Sequence, residues 1–334
     1  MSEHRTLLAE TAERVFAGLK EDFVANWRSI EEAGLQWVMV GEDAGGFGGG
    51  FEDGCIVLQA AGRHAAALPI AEAVIAARLL SQAKLGAAGS LSLAKKYDGR
   101  SRRDGGEIVF SGTLRGVAFG RDVERIIALL DGKIAVFLRA DAKQIEHRTN
   151  PAGEPRDDLH FENAKAVCAA TDWNADRLYR VMALAYACQM SGAMDAALAL
   201  AANHVRDRQQ FGKALASFQA IQQQMALFAE EAAATRAACA AAARAADRGD
   251  ASFEMGCAKL RANQAASIAT SAAHQVHGAI GFTREYDLQR FTRRLWAWRS
   301  EYGNDRHWSL EIGARAARAG SEGFWPGLVR GFAH

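Results

Sequence analysis

Seven consecutive residues carry an unusual concentration of functional side chains: Arg206-Asp207-Arg208-Gln209-Gln210-Phe211-Gly212, with Lys213 and Ser217-Phe218-Gln219 just behind them. They close a long stretch of helical apolar periodicity. Arginines in a last turn offset the negative end of the helix dipole, and a glycine just beyond takes a left-handed conformation. Those rules account for Arg206 and Gly212 as stop signals. They leave unexplained an aromatic between arginine and glycine, and a glutamine eleven residues beyond Arg208. A second constellation, Gln275-Val276-His277-Gly278-Ala279-Ile280-Gly281-Phe282, sets two glycines three apart at an expected helix end. Backbone there can lie close to a ligand, and the helix terminus offers free polar groups. His274 and His277 stand at i and i+3, as two metal ligands could, but no third ligand follows at useful spacing, and structural histidines are the expected reading.

Other candidates are weaker. Residues Gly41 to Gly50 hold six glycines, which forbid a regular element. Such a loop could cradle a phosphate, but it lacks the Gly-Lys-Ser/Thr of a P-loop and the strand and helix order of a dinucleotide fold. The densest basic cluster, Arg290, Arg293, Arg294 and Arg299, reads either as a solvated helix face or as a contact for phosphate or CoA.

The elements that must position these groups follow from composition and periodicity. A chain of 334 residues, 49% hydrophobic, can bury a core in one large or two to three smaller domains. A net charge of +1 excludes a dedicated nucleic-acid surface. Five scattered cysteines without C-x-x-C spacing are expected to be reduced and buried. No uncharged apolar run reaches the ~18 residues of a spanning helix, and the polar start carries no apolar leader. We expect a cytoplasmic, soluble protein that binds neither membrane nor nucleic acid. Residues 1–85 read as an N-terminal helical domain: Leu7, Leu8, Val15, Phe16, Leu19, Trp27, Ile30 and Leu35 recur at helical spacing. Residues 86–170 change to short apolar runs bounded by turns, with Asp131-Gly132 placed as in a hairpin, and read as a small antiparallel β domain. Asn150 to Asp157 reads as a turn-rich loop. Residues 171–334 read as a helical bundle whose alanine-rich stretch, 232–246, lets helices approach closely. The tail from Ser321 to His334 is expected to dock on a partner or fray.

In this frame the sequence resembles the acyl-CoA dehydrogenase family of flavoenzymes. Arg208, Phe211 and Gly212 match its Arg-x-x-Phe-Gly motif, and the Gln275 to Phe282 run resembles its Gln-x-x-Gly-Gly-x-Gly-aromatic segment, with Ala279 for the second glycine. Near the amino terminus the match runs through Glu32-Ala33-Gly34, Trp37-Val38-Met39-Val40, Gly41-Glu42, Gly45-Gly46, Glu52-Asp53, Gly62-Arg63 and Leu68-Pro69. The resemblance implies a mainly α fold with a small middle β domain and a C-terminal four-helix bundle. It also implies an FAD held by a neighbouring subunit: Arg208 would meet its pyrophosphate, Phe211 would pack on it, Gln219 would hydrogen-bond it, and Gln275, Val276, His277, Gly278 and Ala279 would lie against its adenylate and pyrophosphate. The family's flavin-ring strands, of Thr-Glu-Pro and Trp-x-x-Asn type, have no counterpart in the β segment.

The catalytic base departs from the pattern. Glu285 to Arg293 keeps the family's frame, with Asp287 for its proline and Arg294 for its aspartate, but Tyr302-Gly303-Asn304 then stands where Glu-Gly-Thr is expected. A tyrosine of pKa near ~10 is a poor base at neutral pH. Glu301 is one residue early, turned by about 100° if the segment is helical, and Met182 occupies the alternative base position of some members. The family's reaction removes a Cα proton from an acyl thioester while a hydride leaves Cβ, and general-base help is worth roughly 100- to 10,000-fold. Three readings result. The chain is an FAD-dependent acyl-CoA dehydrogenase with Glu301 as base, acting on an acyl-CoA as homo-oligomer or heteromer with an electron-transfer flavoprotein as acceptor. Or it is a base-lacking partner completing the FAD site of a second acyl-CoA dehydrogenase-like chain, as in lipid or steroid catabolism. Or it is a flavin-free helical interaction protein.

Overall fold

The computed structural model describes residues 2–330. By the contacts among its residues the chain divides into two compact units, Met1–Met182 and Ala183–His334.

The first unit begins with helices α1 (Glu3–Ala17), α2 (Phe23–Glu32), α3 (Phe51–Arg63) and α4 (Ile70–Gln82). Ser2 and Asp22 cap the first two, their side chains accepting from the Arg5 and Ala25 amides. Asp53 caps α3 by accepting from Gly50 N at 3.0 Å and also holds Arg5 Nε at 2.9 Å, so one carboxylate joins α1 to α3. Helix α4 is apolar nearly all round and is buried accordingly. The run Trp37 to Val40, strand-like in sequence, instead forms a tight buried turn. Its carbonyls explain the glycine-rich stretch: Gly48 N and Gly49 N donate to Val40 O and Val38 O at 2.8 and 3.0 Å. A Cβ on Gly46 or Gly49 would meet those carbonyls at 2.3 or 2.5 Å, so the glycines serve backbone packing.

The sheet holds β1 (Leu91–Leu93), β2 (Lys96–Asp104), β3 (Glu107–Ala118), β4 (Arg125–Leu130), β5 (Lys133–Leu138), β6 (Gln144–Glu146) and β7 (Arg156–Ala170). Their order is β1-β4-β5-β7-β3-β2, with β6 also on β7. Its pairings are antiparallel except β1 with β4, which is parallel, so the expectation of a purely antiparallel sheet needs that correction. The hairpin at Asp131-Gly132 is present; both residues are left-handed, φ 49° and 76°, as a tight two-residue turn requires. Sequence patterning misses β2, whose charged residues suit an exposed edge strand. It also misses the start of β7, where Arg156 and Asp157 belong to a strand and the loop ends earlier than expected. The core between the strands is aromatic: Phe110, Phe137 and Phe161 lie with ring centroids 5.2 to 6.5 Å apart.

The second unit contains most of α5 (Ala175–Asp207), then a small hairpin of β8 (Gln209–Gln210) and β9 (Lys213–Ala214). Helices α6 (Gln219–Arg248), α7 (Ser252–His277), α8 (Leu288–Trp298) and α9 (Asp305–Arg330) follow. Four long helices form the bundle, with the short α8 joining the last two. Alanines line the buried faces of α6 and α7, including Ala242, Ala243, Ala262, Ala265 and Ala269. Ion pairs Asp195–Arg236 and Glu231–Arg261 tie α5 to α6 and α6 to α7. Gly320, φ 65°, breaks α9, and the tail beyond Arg330 lies outside the described residues. None of the five cysteines is in a disulfide, but Cys168 and Cys257 are only half-buried, short of the expected full burial. No helix among the described residues is long and apolar enough to cross a membrane.

Phe137→Ala should cost about 3–5 kcal/mol by opening the aromatic core. Leu138→Ala, at a side chain 50% exposed, should stay within about 0.5 kcal/mol. Urea denaturation of both variants checks the contrast.

Candidate functional site

Helix α5 stops at Asp207, and the next residues turn back as a hairpin in which Gln209 pairs with Ala214 and Gln210 with Lys213. Phe211 and Gly212 form its turn, with φ 51° and 77°. Gly212 is therefore not the helix cap expected from its position; its left-handed backbone serves a two-residue turn. Phe211 shares that conformation, which is unfavourable for a bulky side chain. It is also 91% exposed, touching Phe218 edge-on with centroids 6.2 Å apart. Arg208 anchors the hairpin through its backbone, donating to His204 O and accepting from Leu215 N, both at 2.9 Å. Its guanidinium is exposed and has no hydrogen-bonding or ion-pair partner among the described residues. Gln219, the first residue of α6, is exposed as well.

The end of α7 meets this hairpin through histidines. The ring of His204, on the last turn of α5, stacks on that of His277 with centroids 4.5 Å apart and planes 29° from parallel. His277 Nδ1 donates to Ala273 O at 2.7 Å, so Nε2 accepts from the Tyr286 hydroxyl at 3.0 Å. The two sequence constellations are thus brought together, by His204 and Tyr286, which sequence reasoning passed over. The available signal was His204 lying four residues before Arg208, one turn back on the same helix face. Of the second constellation, Gln275, Gly278, Ala279, Ile280 and Phe282 are exposed. Val276 and His277 are buried, so only their backbone is free to approach a ligand. Gly278 has φ 61°, and Phe282 stacks on His274 with centroids 4.3 Å apart.

Burial holds all three histidines below the ordinary value of 6.5. For His204 the nearby His277 and Arg208 add to the effect and Asp207 opposes it, and for His274 it is His277 that adds. Burial also raises the Tyr286 phenol, helped by Asp287.

Glu301 lies in the turn between α8 and α9 and is 7% exposed, with its amide donating to Trp298 O at 3.2 Å. Because the segment is a turn, helical angular spacing does not govern where its side chain points. Tyr302 and Gly303 have φ of 48° and 103°, and a Cβ at Gly303 would sit 2.2 Å from Trp308 Nε1. The Tyr302 ring is buried against Tyr186, centroids 5.5 Å apart, and Asn304 Oδ1 accepts from His307 N at 3.0 Å. The position that the family frame assigns to a base is therefore occupied by a packing residue. Met182 is wholly buried in α5. In the basic cluster, Arg290 pairs with Asp287, Arg294 donates to Arg290 O, and Arg299 pairs with Asp305 beneath Trp296. An open cleft of about 330 Å³ lies there, lined by Trp296, Arg299, Ser300, Asn304, Asp305 and Arg306.

The histidine cluster makes stability pH-dependent with a definite sign. A histidine whose folded pKa is depressed stays neutral in the fold while the unfolded chain takes up its proton near 6.5. The stability is present above that pH and is lost as pH falls through the folded values. Thermal melts at pH 7.5 and 5.5 should show the loss, and it should shrink in the His204→Gln, His277→Asn double variant.

Residues 176–317 match the family model described as "Acyl-CoA dehydrogenase, C-terminal domain", a span running from α5 to the first half of α9. Acyl-CoA dehydrogenase IpdE2 of Mycolicibacterium smegmatis is 27% identical over 313 residues, spanning 88% of this chain and 93% of that protein. Among solved structures, a variant of the Tcur3481-Tcur3483 steroid ACAD superposes with a TM-score of 0.83 at 22% identity, covering 95% of this chain and 98% of that one. The ChsE4-ChsE5 complex of Mycobacterium tuberculosis gives 0.81 at 22% identity with the same coverage. At that identity the two structures speak for the fold. Motif, family model and fold converge on the acyl-CoA dehydrogenase family, whose C-terminal domain is matched by residues 176–317.

Proposed function

We propose that this chain is one subunit of an FAD-dependent acyl-CoA dehydrogenase, and that its Arg208 face completes an FAD site on a neighbouring acyl-CoA dehydrogenase-like chain. One observation carries the reading. Phe211 is 91% exposed on a strained turn, beside an exposed Arg208 guanidinium that no group among the described residues neutralises. A cation and an aromatic held outward at the cost of backbone strain suit a ligand arriving from outside. The donor set fits FAD: a guanidinium for pyrophosphate charge, a ring for stacking, the Gln219 and Gln275 amides for hydrogen bonds, and backbone at Gly278 and Ala279 for close approach. When bound, FAD supplies the acceptor for the hydride that leaves Cβ.

The chain's own part in the chemistry is electrostatic and basic. Arg208 offsets phosphate charge, the His204–His277 stack keeps its hairpin beside the α7 end, and Glu301 takes the Cα proton. A carboxylate sheltered from water is the right kind of group for so weak a carbon acid. In this reading the chain keeps the three-part organisation of residues 1–85, 86–170 and 171–334. The acyl-CoA is of a steroid or lipid-derived class, and electrons pass to an electron-transfer flavoprotein. A cytoplasmic location is part of the reading, supported by five cysteines none of which is in a disulfide.

A second reading rests on Tyr302: with a packing residue where the family frame puts the base, the proton acceptor would come from the partner chain. The visible spectrum decides among these. The chain, alone and co-expressed with a second acyl-CoA dehydrogenase-like chain, should be yellow at least in the complex, and Arg208→Ala should lower the flavin retained. Glu301→Gln should slow substrate bleaching of the flavin by roughly 100- to 10,000-fold. Unchanged bleaching would transfer the base to the partner, and a colourless complex would overturn the flavoprotein reading altogether.

A further inference from the structure

His204 lies one turn before Arg208, and the bond from Arg208 N to His204 O at 2.9 Å puts the two residues on one face of the α5 end. It is half-buried, and neither of its ring nitrogens has a hydrogen-bond partner among the described residues. Its ring is held by stacking on His277, with centroids 4.5 Å apart and planes 29° from parallel. The other histidines gathered here have their nitrogens committed. His277 is buried and uses both in its neutral form, Nδ1 donating to Ala273 O at 2.7 Å and Nε2 accepting from Tyr286 at 3.0 Å. Thr292 gives its hydroxyl hydrogen to Leu288 O, so His274 Nε2 donates to Thr292 at 3.1 Å, and the His274 Nδ1 atom is buried. Of the three, only His204 keeps ring nitrogens uncommitted beside Arg208.

We propose that His204 is a second cationic contact for the anion that Arg208 receives, its imidazole taking a proton from solvent as the FAD pyrophosphate binds. This role of His204 rests on the flavin reading of Arg208. Within the chain, the surroundings of His204 disfavour that proton. Burial comes first, His277 and Arg208 add to it, and the opposing Asp207 is already paired with Arg206. Tyr286, edge-on to the ring at 6.5 Å, brings no charge, because burial raises its phenol further. A pyrophosphate reverses the balance. It carries more negative charge than one guanidinium offsets, and an opposite charge within ~4–6 Å favours the imidazolium. His277, neutral on the other side of the stack, sets no like charge against it.

The test is calorimetric titration with FAD of the full chain, alone and in complex with the second chain, after removal of any flavin. The FAD pyrophosphate stays ionised between pH 6.5 and pH 8, so a proton taken up in that range goes to the protein. A group whose pKa rises on binding makes binding tighter as pH falls, so Kd should tighten by about 3- to 10-fold from pH 8 to pH 6.5. Heats measured at pH 7 in buffers of different ionisation enthalpy should report uptake of part of one proton. His204→Gln keeps an amide donor without charge, and His204→Phe keeps the stacking ring without nitrogens. Either variant should still bind FAD but lose both the uptake and the pH dependence, whereas Arg208→Ala should weaken binding at both pH values. Binding without proton uptake in the wild type, or uptake that survives in either folded variant, overturns the role of His204 and leaves the flavin reading standing. Absence of FAD binding at both pH values, alone and in the complex, overturns the two together.

Discussion

Helix α7 buries four polar side chains, Lys259, Asn263, Thr270 and His277, and the second unit is arranged around meeting their demand for partners. Fourteen of its 26 residues are buried. Half of these are alanine, which lets α6 approach closely with little side-chain entropy at stake. The four polar ones are each satisfied: Lys259 and Asn263 by the turn after α8, Thr270 by Ala266 O at 2.7 Å, and His277 by Ala273 O and Tyr286. Because an unmet donor in such a place costs about 1–3 kcal/mol, these partners are held firmly. The near half of α7 fixes the Glu301 turn, and its far end fixes the Arg208 hairpin.

The two ends differ in character, which suits two kinds of task. At the turn itself Glu301, Tyr302 and Gly303 are buried and cross-braced, with Gly303 present because Trp308 leaves no room for a side chain. Around Arg208 the backbone is fixed while the side chains are exposed. Phe211 is held at positive φ with almost no burial in return. Strain without a compensating contact inside the chain points to a contact outside it. The first arrangement shelters a carboxyl group, and the second leaves a charge and a ring exposed.

The first unit shows how the same residue type serves structure when context differs. Six glycines in ten residues suggest a phosphate cradle, yet two of them, Gly46 and Gly49, are required by the nearness of Val40 O and Val38 O. Gly48 and Gly49 donate their amides to those carbonyls, which consumes groups that a phosphate would need.

The sequence by itself determined the helical class, the middle sheet and the resemblance to the acyl-CoA dehydrogenase family. Periodicity and short motifs are local properties, and Arg208, Phe211, Gly212 and the Gln275 run are spaced by covalent connectivity alone. It also determined that the base departs from pattern, since counting residues needs no fold. Tertiary structure decided the rest. That Gly212 turns a hairpin and caps no helix depends on pairing across the turn, and that β2 is a strand depends on its place at a sheet edge, where charge is tolerated. That His204 belongs with His277, 73 residues away, depends on helix packing. Lys259 passed unnoticed because a lysine inside a helical pattern reads as a solvated position. Only the fold shows it enclosed, since burial is set by what packs on a residue from far along the chain and by no property of the residue itself.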